Sequence, residues 1–422
     1  MRTVLNENIN RSKKNDKEMK TDIPFIEGGT PVRSKDNFLV FGQPDIKQNE
    51  IDEVVDTLGS GWIGTGPKTS RFEREFADYQ NIDYAVGLSS CTSGLFLSLK
   101  ALKLPKGSEV ISTAHTFTAT IASIIHNDLK PVLVDCQQKT QNIEWTKIEE
   151  KISSKTKALL LVAFAGLPCE MDKIIDIAKR YNLYIILDNA HAVEAEYNGK
   201  KLSQYGDISN YSFYSTKNIT TAEGGMMCSN NNEYINCARL MSLHGLSAGA
   251  HARFGKSGFK SYDVLDAGFK MNMTDISASI GIHQLNRVDN NWKRRKEIWE
   301  KYIDGIKDLP LYYPTSISVN IKHAYHLFTI QLKLEKLRVD RDYVLSALQE
   351  EGIGVGVHYT ALHQFKYYRD MFGWSANDFP VTQWLSDRTI SLPLSPALSN
   401  EDVNDVLEAL RKVLTYYRKG TV

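Results

Sequence analysis

The chain has 422 residues, of which 42% are hydrophobic and 24% are charged, and its formal net charge is +1. This length allows more than one packed core, and the composition is typical of a soluble globular protein. Because the net charge is close to zero, no overall field draws the chain to nucleic acid or to a membrane. No apolar run reaches the roughly 18 residues of a membrane-spanning helix, so we expect neither kind of partner.

The amino-terminal segment 1–22 is polar and lacks the apolar core of a secretion signal. We interpret it as a mobile arm. Five cysteines are scattered along the chain and never form a Cys-x-x-Cys pair: Cys91, Cys136, Cys169, Cys228 and Cys237. This pattern favours reduced thiols in a cytoplasmic protein over a disulfide framework or a metal site.

Short apolar runs alternate with amphipathic stretches from Tyr84 onwards. The apolar runs predict strands at 84–88, 109–112, 131–135, 158–164, 184–188, 209–214 and 225–228. Helical patterns lie between the earlier strands at 93–104, 118–127 and 171–181. Apolar strands separated by helices are typical of a parallel sheet covered on both faces. The sequence therefore predicts an α/β fold with a mainly parallel seven-stranded sheet between helices.

The composition changes in the last third of the chain. Region 275–308 predicts long helices, and a turn-rich stretch follows at 308–314. Beyond that stretch we predict strands at 326–332 and 354–359, and helices at 340–351 and 401–416. We accordingly divide the chain into a large domain, 23–290, and a small α+β C-terminal domain, 291–422.

Three places in the predicted sheet carry residues suited to chemistry, and ligands of such sheets gather at the carboxyl ends of strands. The first is GLSSCTSGLFLSL at 87–99, where a strand runs into a helix. The N–H groups of that helix start, with hydroxyls of Ser90, Thr92 and Ser93, suit a phosphate. An ordinary serine or threonine cap explains the same pattern without a ligand.

The second place is Asp188, which ends the apolar run YIILD, with His191 three residues later. Such a carboxylate either caps the following turn or pairs with a protonated ring nitrogen of a ligand. The third is Lys217, which follows a predicted buried strand. A lysine in an apolar site loses part of its preference for the charged form and becomes a nucleophile, although a lysine on the surface is the commoner arrangement.

These three places together match the needs of pyridoxal phosphate, which requires a phosphate site, a carboxylate on its ring nitrogen and an amine for its aldehyde. Phe117, after the second predicted strand, is suited to stack on the ring. The chain resembles the DegT/DnrJ/EryC1/StrS group of sugar aminotransferases, within the fold type I pyridoxal phosphate enzymes, over residues 24–415. The motifs that carry the resemblance are SGWIGTGPK, SSCTSGLFLSLKAL, LDNAHAVEAEYNGKKL, SFYSTKNITTAEGGMM and DAGFKMNMTDISASIGIHQL.

The resemblance implies a role for each matching residue. Lys217 is expected to bind the cofactor aldehyde covalently and then to move a proton, and Asp188 to pair with the ring nitrogen. The remaining cofactor contacts implied are His191 near the ring oxygen, Phe117 on the ring face, Thr92, Ser93 and Ser212 at the phosphate, and Lys270 at the phosphate of the neighbouring subunit. The last contact implies a homodimer in which each active site lies at the subunit interface.

The sequence also departs from the family pattern. Cys91 replaces the usual glycine of the phosphate loop, and Ser93 and Gly94 replace a common alanine pair. A side chain at Cys91 is expected to alter the approach of the backbone to the phosphate. Segment 162–168 lacks a histidine that often stands at its start.

The family transfers an amino group, generally from glutamate or glutamine, to a nucleotide-linked keto sugar or a keto cyclitol. The C-terminal segments resemble enzymes that aminate C4 of UDP-4-keto sugars, whereas GGTPVR at 28–33 is commoner in other branches. We therefore expect a nucleotide-linked 4-keto sugar and glutamate as substrates. Arg253, His358, Tyr359 and His363 are candidate substrate contacts, although His358 also suits a purely structural role. The Gly-rich basic stretch 244–262 reads equally as a substrate loop or a surface loop.

Three other functions remain open from the sequence. A C3-keto sugar or keto-cyclitol aminotransferase differs only in its acceptor. A non-catalytic pyridoxal phosphate-binding protein would not need Lys217 and Asp188. A nucleotide-binding module of Rossmann type would carry a Gly-x-Gly-x-x-Gly motif after its first strand, and this sequence has none there.

Overall fold

The computed structural model describes residues 22–247, 261–314 and 317–420. The predicted arm at 1–22, apart from Asp22, and the candidate contact Arg253 lie outside the described residues. In the described parts the strands are β1 (Tyr84–Leu88), β2 (Glu109–Thr113), β3 (Lys130–Val134), β4 (Thr156–Val162), β5 (Tyr184–Asp188), β6 (Glu196–Tyr197), β7 (Lys200–Lys201), β8 (Ile208–Ser212), β9 (Gly225–Ser229), β10 (Leu311–Tyr312), β11 (Ile321–Lys322), β12 (Phe328–Leu332) and β13 (Thr389–Leu392). The α-helices there are α1 (Gln48–Gly59), α2 (Pro67–Gln80), α3 (Cys91–Ala101), α4 (Thr118–Ile125), α5 (Met171–Tyr181), α6 (Asn232–Met241), α7 (Asp275–Asn286), α8 (Val288–Ile306), α9 (Arg341–Glu350), α10 (Lys366–Phe372), α11 (Pro380–Ser386) and α12 (Asn400–Tyr416).

The central sheet contains seven strands in the order β1-β9-β8-β5-β4-β2-β3. Strand β9 is antiparallel to both of its neighbours, and the other adjacent pairs are parallel. The predicted α/β fold with a mainly parallel seven-stranded sheet is therefore confirmed. Because six strands point the same way, their carboxyl ends meet at one edge of the sheet, where ligands of such folds bind.

Both faces of this sheet are covered, as β4 illustrates. Ala158 and Leu160 pack into a core shared with α3, α4 and α6. Leu159 and Leu161 point the other way, into a core shared with α5. Successive strand residues face opposite sides, so a strand buried on both faces must be apolar throughout. This is why the strands appear in the sequence as continuous apolar runs.

A second core is built mainly from the C-terminal part of the chain. Strands β10, β12 and β13 form an antiparallel sheet against which α8, α9 and α12 pack, and Leu39 from the amino-terminal segment joins the same core. Within the described residues, no helix is long and apolar enough to span a bilayer. The division into domains at 23–290 and 291–422 stays a prediction.

The strand predicted at 354–359 is wrong. The segment makes one parallel bridge through Ile353 to Leu39 and one antiparallel bridge through Gly356 to Ser391. It therefore changes partner before a second successive pair can form. The Gly354 N–H donates to the Leu39 carbonyl (2.8 Å), and a Cβ at Gly354 would lie 2.7 Å from that oxygen. The segment is held by these close backbone contacts rather than by a ladder.

The amino-terminal segment is fastened to the second core by a buried carboxylate. Glu351 is 0% exposed and accepts hydrogen bonds from the N–H groups of Phe25 (2.7 Å) and Val32 (2.9 Å). It also forms an ion pair with Lys412 Nζ at 3.0 Å, whose side chain is 5% exposed. Three donors on one carboxylate offset the cost of burying its charge.

Replacing Glu351 with alanine is expected to lower the free energy of unfolding by about 3–5 kcal/mol, because it leaves the Lys412 charge buried without a partner. The matched control is Glu350→Ala, one residue earlier on the exposed side of α9, which should change stability by less than about 0.5 kcal/mol. Denaturant unfolding of the two variants checks this. Equal loss in both would contradict the anchoring role of Glu351.

Candidate active site

A cavity of about 450 Å³ opens at the carboxyl edge of the central sheet. It is bounded by the ends of β4, β5 and β8, the first turns of α3 and α4, and segment 357–359. Of the predicted site residues, it is lined by Thr92, Phe117, Asp188, His191, Ser212, Lys217, His358 and Tyr359. Ser93, Lys270 and His363 do not line it, and Arg253 lies outside the described residues.

Lys217 projects into this cavity from the turn after β8. Its backbone N–H donates to the Tyr214 carbonyl at 2.9 Å, which fixes the turn. In the part of the chain described, its amine forms no hydrogen bond or ion pair. Removal from bulk water lowers the pKa of the Lys217 amine from 10.5 to about 8, although the nearby Asp188 charge acts in the opposite direction. A substantial fraction of the amine is therefore neutral and nucleophilic near physiological pH.

This pKa gives a prediction for loading of the protein with pyridoxal phosphate. The rate of covalent attachment to Lys217 should rise with pH as the amine loses its proton and level off above about 8, rather than near the 10.5 of an ordinary lysine. Stopped-flow absorbance of the protein freed of cofactor checks the midpoint. A rate that is still rising steeply at pH 10 would contradict the lowered pKa.

Asp188 ends β5 with its carboxylate almost fully buried, at 6% exposure. Oδ2 accepts from the Thr120 hydroxyl at 2.9 Å, and Oδ1 accepts from the Ala190 N–H at 3.2 Å. Burial raises the pKa of this carboxyl, while these donors and the nearby Lys217 oppose the rise. The bond to Ala190 is the predicted turn cap, yet the carboxylate also faces the cavity and can accept from a ligand.

The start of α3 has features both of an ordinary helix cap and of a phosphate site, the two interpretations left open by the sequence. Ser90 Oγ accepts from the Ser93 N–H at 3.0 Å, and the Ser93 hydroxyl lies 2.9 Å from Ser90 Oγ, so these two serines form an ordinary cap. The exposed Thr92 and the buried Ser212 face the cavity instead. The dipole of α3 and these two hydroxyls favour an anion there.

His191 is oriented by the protein on both ring nitrogens. Nδ1 accepts from the Ala165 N–H at 3.2 Å, so the proton of the neutral ring is on Nε2, which lies 3.2 Å from the Tyr359 hydroxyl. Burial, with the Lys217 charge, lowers the pKa of His191 well below 6.5. Because the imidazole donates to the Tyr359 oxygen, the hydroxyl hydrogen of Tyr359 is not used in this bond and is available to another acceptor.

His358 and Phe117 complete the wall of the cavity. His358 Nδ1 lies 2.8 Å from Ser391 Oγ, and its ring stacks on Phe41 with centroids 5.7 Å apart. Burial lowers the pKa of His358 to about 3, so it is neutral at physiological pH. The Phe117 ring is 57% exposed and lies 6.0 Å from the Tyr359 ring. An exposed aromatic face at a cavity mouth suits a planar ligand.

Besides Ser93, two predicted residues lie away from the cavity. His363 is buried, and its Nε2 lies 2.7 Å from Gln383 Oε1 on α11. It does not line this cavity, and its contact with substrate stays a prediction. Lys270 is exposed, with Nζ donating to Asn272 Oδ1 at 2.6 Å. Its predicted contact belongs to a neighbouring subunit and stays a prediction.

Sequence reasoning missed several residues of the cavity wall. They are Thr116, Tyr214, Thr216 and Glu223, together with Thr120 behind Asp188. A signal for Thr116 and Thr120 was available. They flank Phe117 at the start of a helix that follows a predicted strand, which places them at the carboxyl edge of the sheet.

The residues present fit pyridoxal phosphate. The volume lies within the usual range for small-molecule sites. A nucleophilic amine, a buried carboxylate and a helix start with hydroxyl groups surround one cavity, and these are the groups required by the aldehyde, ring nitrogen and phosphate of this cofactor. The thiol of Cys91 also lines the cavity, and burial raises its pKa well above 9, so it remains neutral.

Comparison with known proteins agrees with this geometry. The model of the DegT/DnrJ/EryC1/StrS aminotransferase family matches residues 44–411. The spore coat polysaccharide biosynthesis protein SpsC of Bacillus subtilis is 40% identical over 384 residues, which cover 91% of this chain and 99% of SpsC.

Solved structures give the same result. The putative sugar aminotransferase Spr1654 of Streptococcus pneumoniae, in its PLP form, is 32% identical with a TM-score of 0.82, over 90% of this chain and 99% of that one; a PMP form is also known. PseC of Helicobacter pylori, an aminotransferase involved in the biosynthesis of pseudoaminic acid, is 24% identical with a TM-score of 0.84, over 90% of this chain and 100% of PseC. The similarity to PseC is evidence only for the fold. The chain belongs to the DegT/DnrJ/EryC1/StrS family and is a pyridoxal phosphate-dependent sugar aminotransferase of fold type I.

Proposed function

We propose that this enzyme transfers the amino group of glutamate to the C4 carbonyl of a nucleotide-linked 4-keto sugar, a UDP-4-keto hexose or pentose, for surface glycan or polysaccharide biosynthesis. We also propose that it is a cytoplasmic homodimer. The observation that carries the proposal is the convergence of the Lys217 amine and the Asp188 carboxylate in one cavity of a sugar aminotransferase. The name of SpsC, a spore coat polysaccharide biosynthesis protein, supports the choice of pathway class.

The roles of the side chains follow from their protonation. Bound pyridoxal phosphate supplies an electron sink that makes the carbon next to the amino group acidic. Lys217 Nζ, with its lowered pKa, accepts the proton from that carbon in the donor and returns a proton to the acceptor carbon. The Asp188 carboxylate keeps a proton on the ring nitrogen. The neutral His191 donates to the Tyr359 oxygen, which leaves the Tyr359 hydroxyl hydrogen as a donor on the same wall.

The charge of the cavity supports the homodimer. A nucleotide diphosphate and the cofactor phosphate are anions, but among the described residues that line the cavity Lys217 is the single lysine or arginine. His191 and His358 are neutral because burial lowers their pKa values. Cations from outside this lining are required. Lys270 of a neighbouring subunit is our candidate at the cofactor phosphate, and Arg253 is our candidate at the substrate.

Subunit mixing tests the shared site. Lys217→Ala and Lys270→Ala are each expected to be inactive or severely impaired as homodimers. Hybrid dimers made by refolding the two together contain one site with both lysines intact, so activity should return to a fraction of wild type. A mixture that stays as inactive as its parents, despite hybrid formation seen by native mass spectrometry, would contradict a site shared across the interface.

A substrate panel tests the acceptor. Glutamate is supplied with UDP-4-keto-hexose, UDP-4-keto-pentose, a 3-keto nucleotide sugar or a keto cyclitol, and the aminated product is measured with Lys217→Ala as the blank. We expect turnover to be fastest with a UDP-4-keto sugar. Faster turnover of the 3-keto sugar or the cyclitol would replace this proposal with the alternative acceptor while keeping the aminotransferase assignment.

A further inference from the structure

The Asp188 carboxylate is held from the starts of two helices as well as from its own turn. Thr120, in the first turn of α4, donates to Oδ2 at 2.9 Å, and the Ala190 N–H donates to Oδ1. Cys91, the first residue of α3, places its sulfur 3.8 Å from Oδ1. A thiol is a weak donor, so the strong side-chain contact is the one from Thr120.

The direction of each hydrogen bond in this cluster is determined. An ionised carboxylate only accepts, so the single hydroxyl hydrogen of Thr120 is directed at Asp188. Thr116 Oγ1 lies 2.7 Å from Thr120 Oγ1 and must therefore donate to it. Thr120 is 0% exposed and Thr116 is 2% exposed, so water does not compete for these positions. The result is a chain of donors that runs from Thr116 through Thr120 to Asp188.

We propose that Thr120, oriented by Thr116, is a positioning residue that fixes the rotation of the Asp188 carboxylate toward the ring nitrogen of the cofactor. This inference rests on the role proposed above for Asp188. Without the Thr120 hydroxyl, Oδ2 loses its donor from the protein, and the carboxylate turns or takes up a proton. The other ionisable groups that act on Asp188 are Lys217, Cys91 and Tyr359, and none of them replaces this donor at Oδ2.

The test compares Thr120→Val, which keeps the shape but removes the hydroxyl, with Thr120→Ser, which keeps the hydroxyl. We measure the dissociation constant for pyridoxal phosphate, the rate of the glutamate half-reaction, and thermal unfolding of the protein freed of cofactor. Loss of a hydrogen bond to a buried charge should weaken cofactor binding about 10- to 100-fold in Thr120→Val and slow the half-reaction by a similar factor. Thr120→Ser should recover most of both, and Thr116→Val should lie between wild type and Thr120→Val.

A cofactor analogue separates positioning from general packing. In 1-deazapyridoxal phosphate a carbon replaces the ring nitrogen, so Asp188 has no N–H to accept. The difference in affinity between wild type and Thr120→Val should then nearly vanish. A difference of the same size with both cofactors would overturn the proposal, as would a Thr120→Val protein that keeps full affinity and rate.

Two further controls keep the outcomes distinct. Cys91→Ala should change the affinity for pyridoxal phosphate by less than Thr120→Val does, since the contact of the Cys91 thiol with Asp188 is weak. If Thr120→Val fails to fold, Thr116→Val tests the proposal in its place. A Thr116→Val protein that binds pyridoxal phosphate as tightly as wild type would contradict the proposed chain of donors. If wild type binds pyridoxal phosphate but aminates no sugar, the proposed function fails, while the affinity comparison still tests Thr120.

Discussion

Replacing Lys217 with alanine is expected to lower the rate of amino transfer by about 10⁴-fold, the upper range for loss of a positioned acid–base group. The amine is set in the cavity by the turn after β8, and its pKa of about 8 suits it to take a proton from carbon near neutral pH. No other amine lines the cavity within the described residues. The protein should still bind pyridoxal phosphate, but without the absorbance band of the lysine-bound cofactor.

Lys179→Ala is the matched control, because Lys179 is an exposed lysine on α5, on the opposite face of the sheet. It should leave rate and absorbance unchanged. Added methylamine should restore part of the rate of Lys217→Ala, since it returns an amine to the space that the side chain leaves. Residual activity within tenfold of wild type would mean that another group moves the proton.

The sequence was sufficient to predict that Lys217, Asp188, Phe117 and Thr92 lie at one edge of the sheet. Lys217 and Asp188 follow buried strands, and the parallel order of β5 and β8 places the ends of those strands side by side. Thr92 lies in the first turn of α3 and Phe117 directly precedes α4, and both helices begin at the same edge. Strand direction alone therefore brings these residues to one cavity.

The sequence was not sufficient to predict the partner of each atom. The contact between His191 and Tyr359 joins residues 168 positions apart, and that between Thr120 and Asp188 joins residues 68 apart. No periodic pattern in the sequence indicates that either pair of residues is in contact. The hydroxyl of Ser93 is another example, since a cap and a phosphate ligand have the same sequence and differ only in where the side chain points.

Segment 354–359 shows a third limit. Its apolar alternation is that of a strand, but its neighbours are Leu39 on one side and Ser391 on the other, each for a single pair. Pairing depends on chain segments more than 30 residues away in either direction. His358 and Tyr359 at the end of this segment line the cavity, so the local pattern fails at the wall of the candidate site.

Replacing Asp188 with asparagine is expected to slow amino transfer by about 10²- to 10³-fold, the range that corresponds to breaking a buried charge pair. Asparagine has nearly the same shape but cannot hold a proton on the ring nitrogen. Attachment of the cofactor to Lys217 should survive, because the amine remains. The matched control is Asp207→Asn at the amino end of β8, where the carboxylate accepts from the Ile185 N–H at 2.7 Å, far from the cavity. It should leave the rate unchanged.

The stability of Asp188→Asn should change in the opposite direction to its activity. Burial raises the folded-state pKa of Asp188 above its unfolded value, so ionisation of this carboxyl at neutral pH costs stability in the protein freed of cofactor. An uncharged amide removes that cost, and the variant should unfold at the same temperature as wild type or higher at pH 7. At a pH below the pKa of Asp188 in the unfolded chain, this carboxyl is uncharged in both the folded and the unfolded protein. The difference in unfolding temperature between wild type and Asp188→Asn should then disappear. Thermal unfolding against pH measures this, and a variant that is slow only because it has unfolded would refute the role of Asp188 in catalysis.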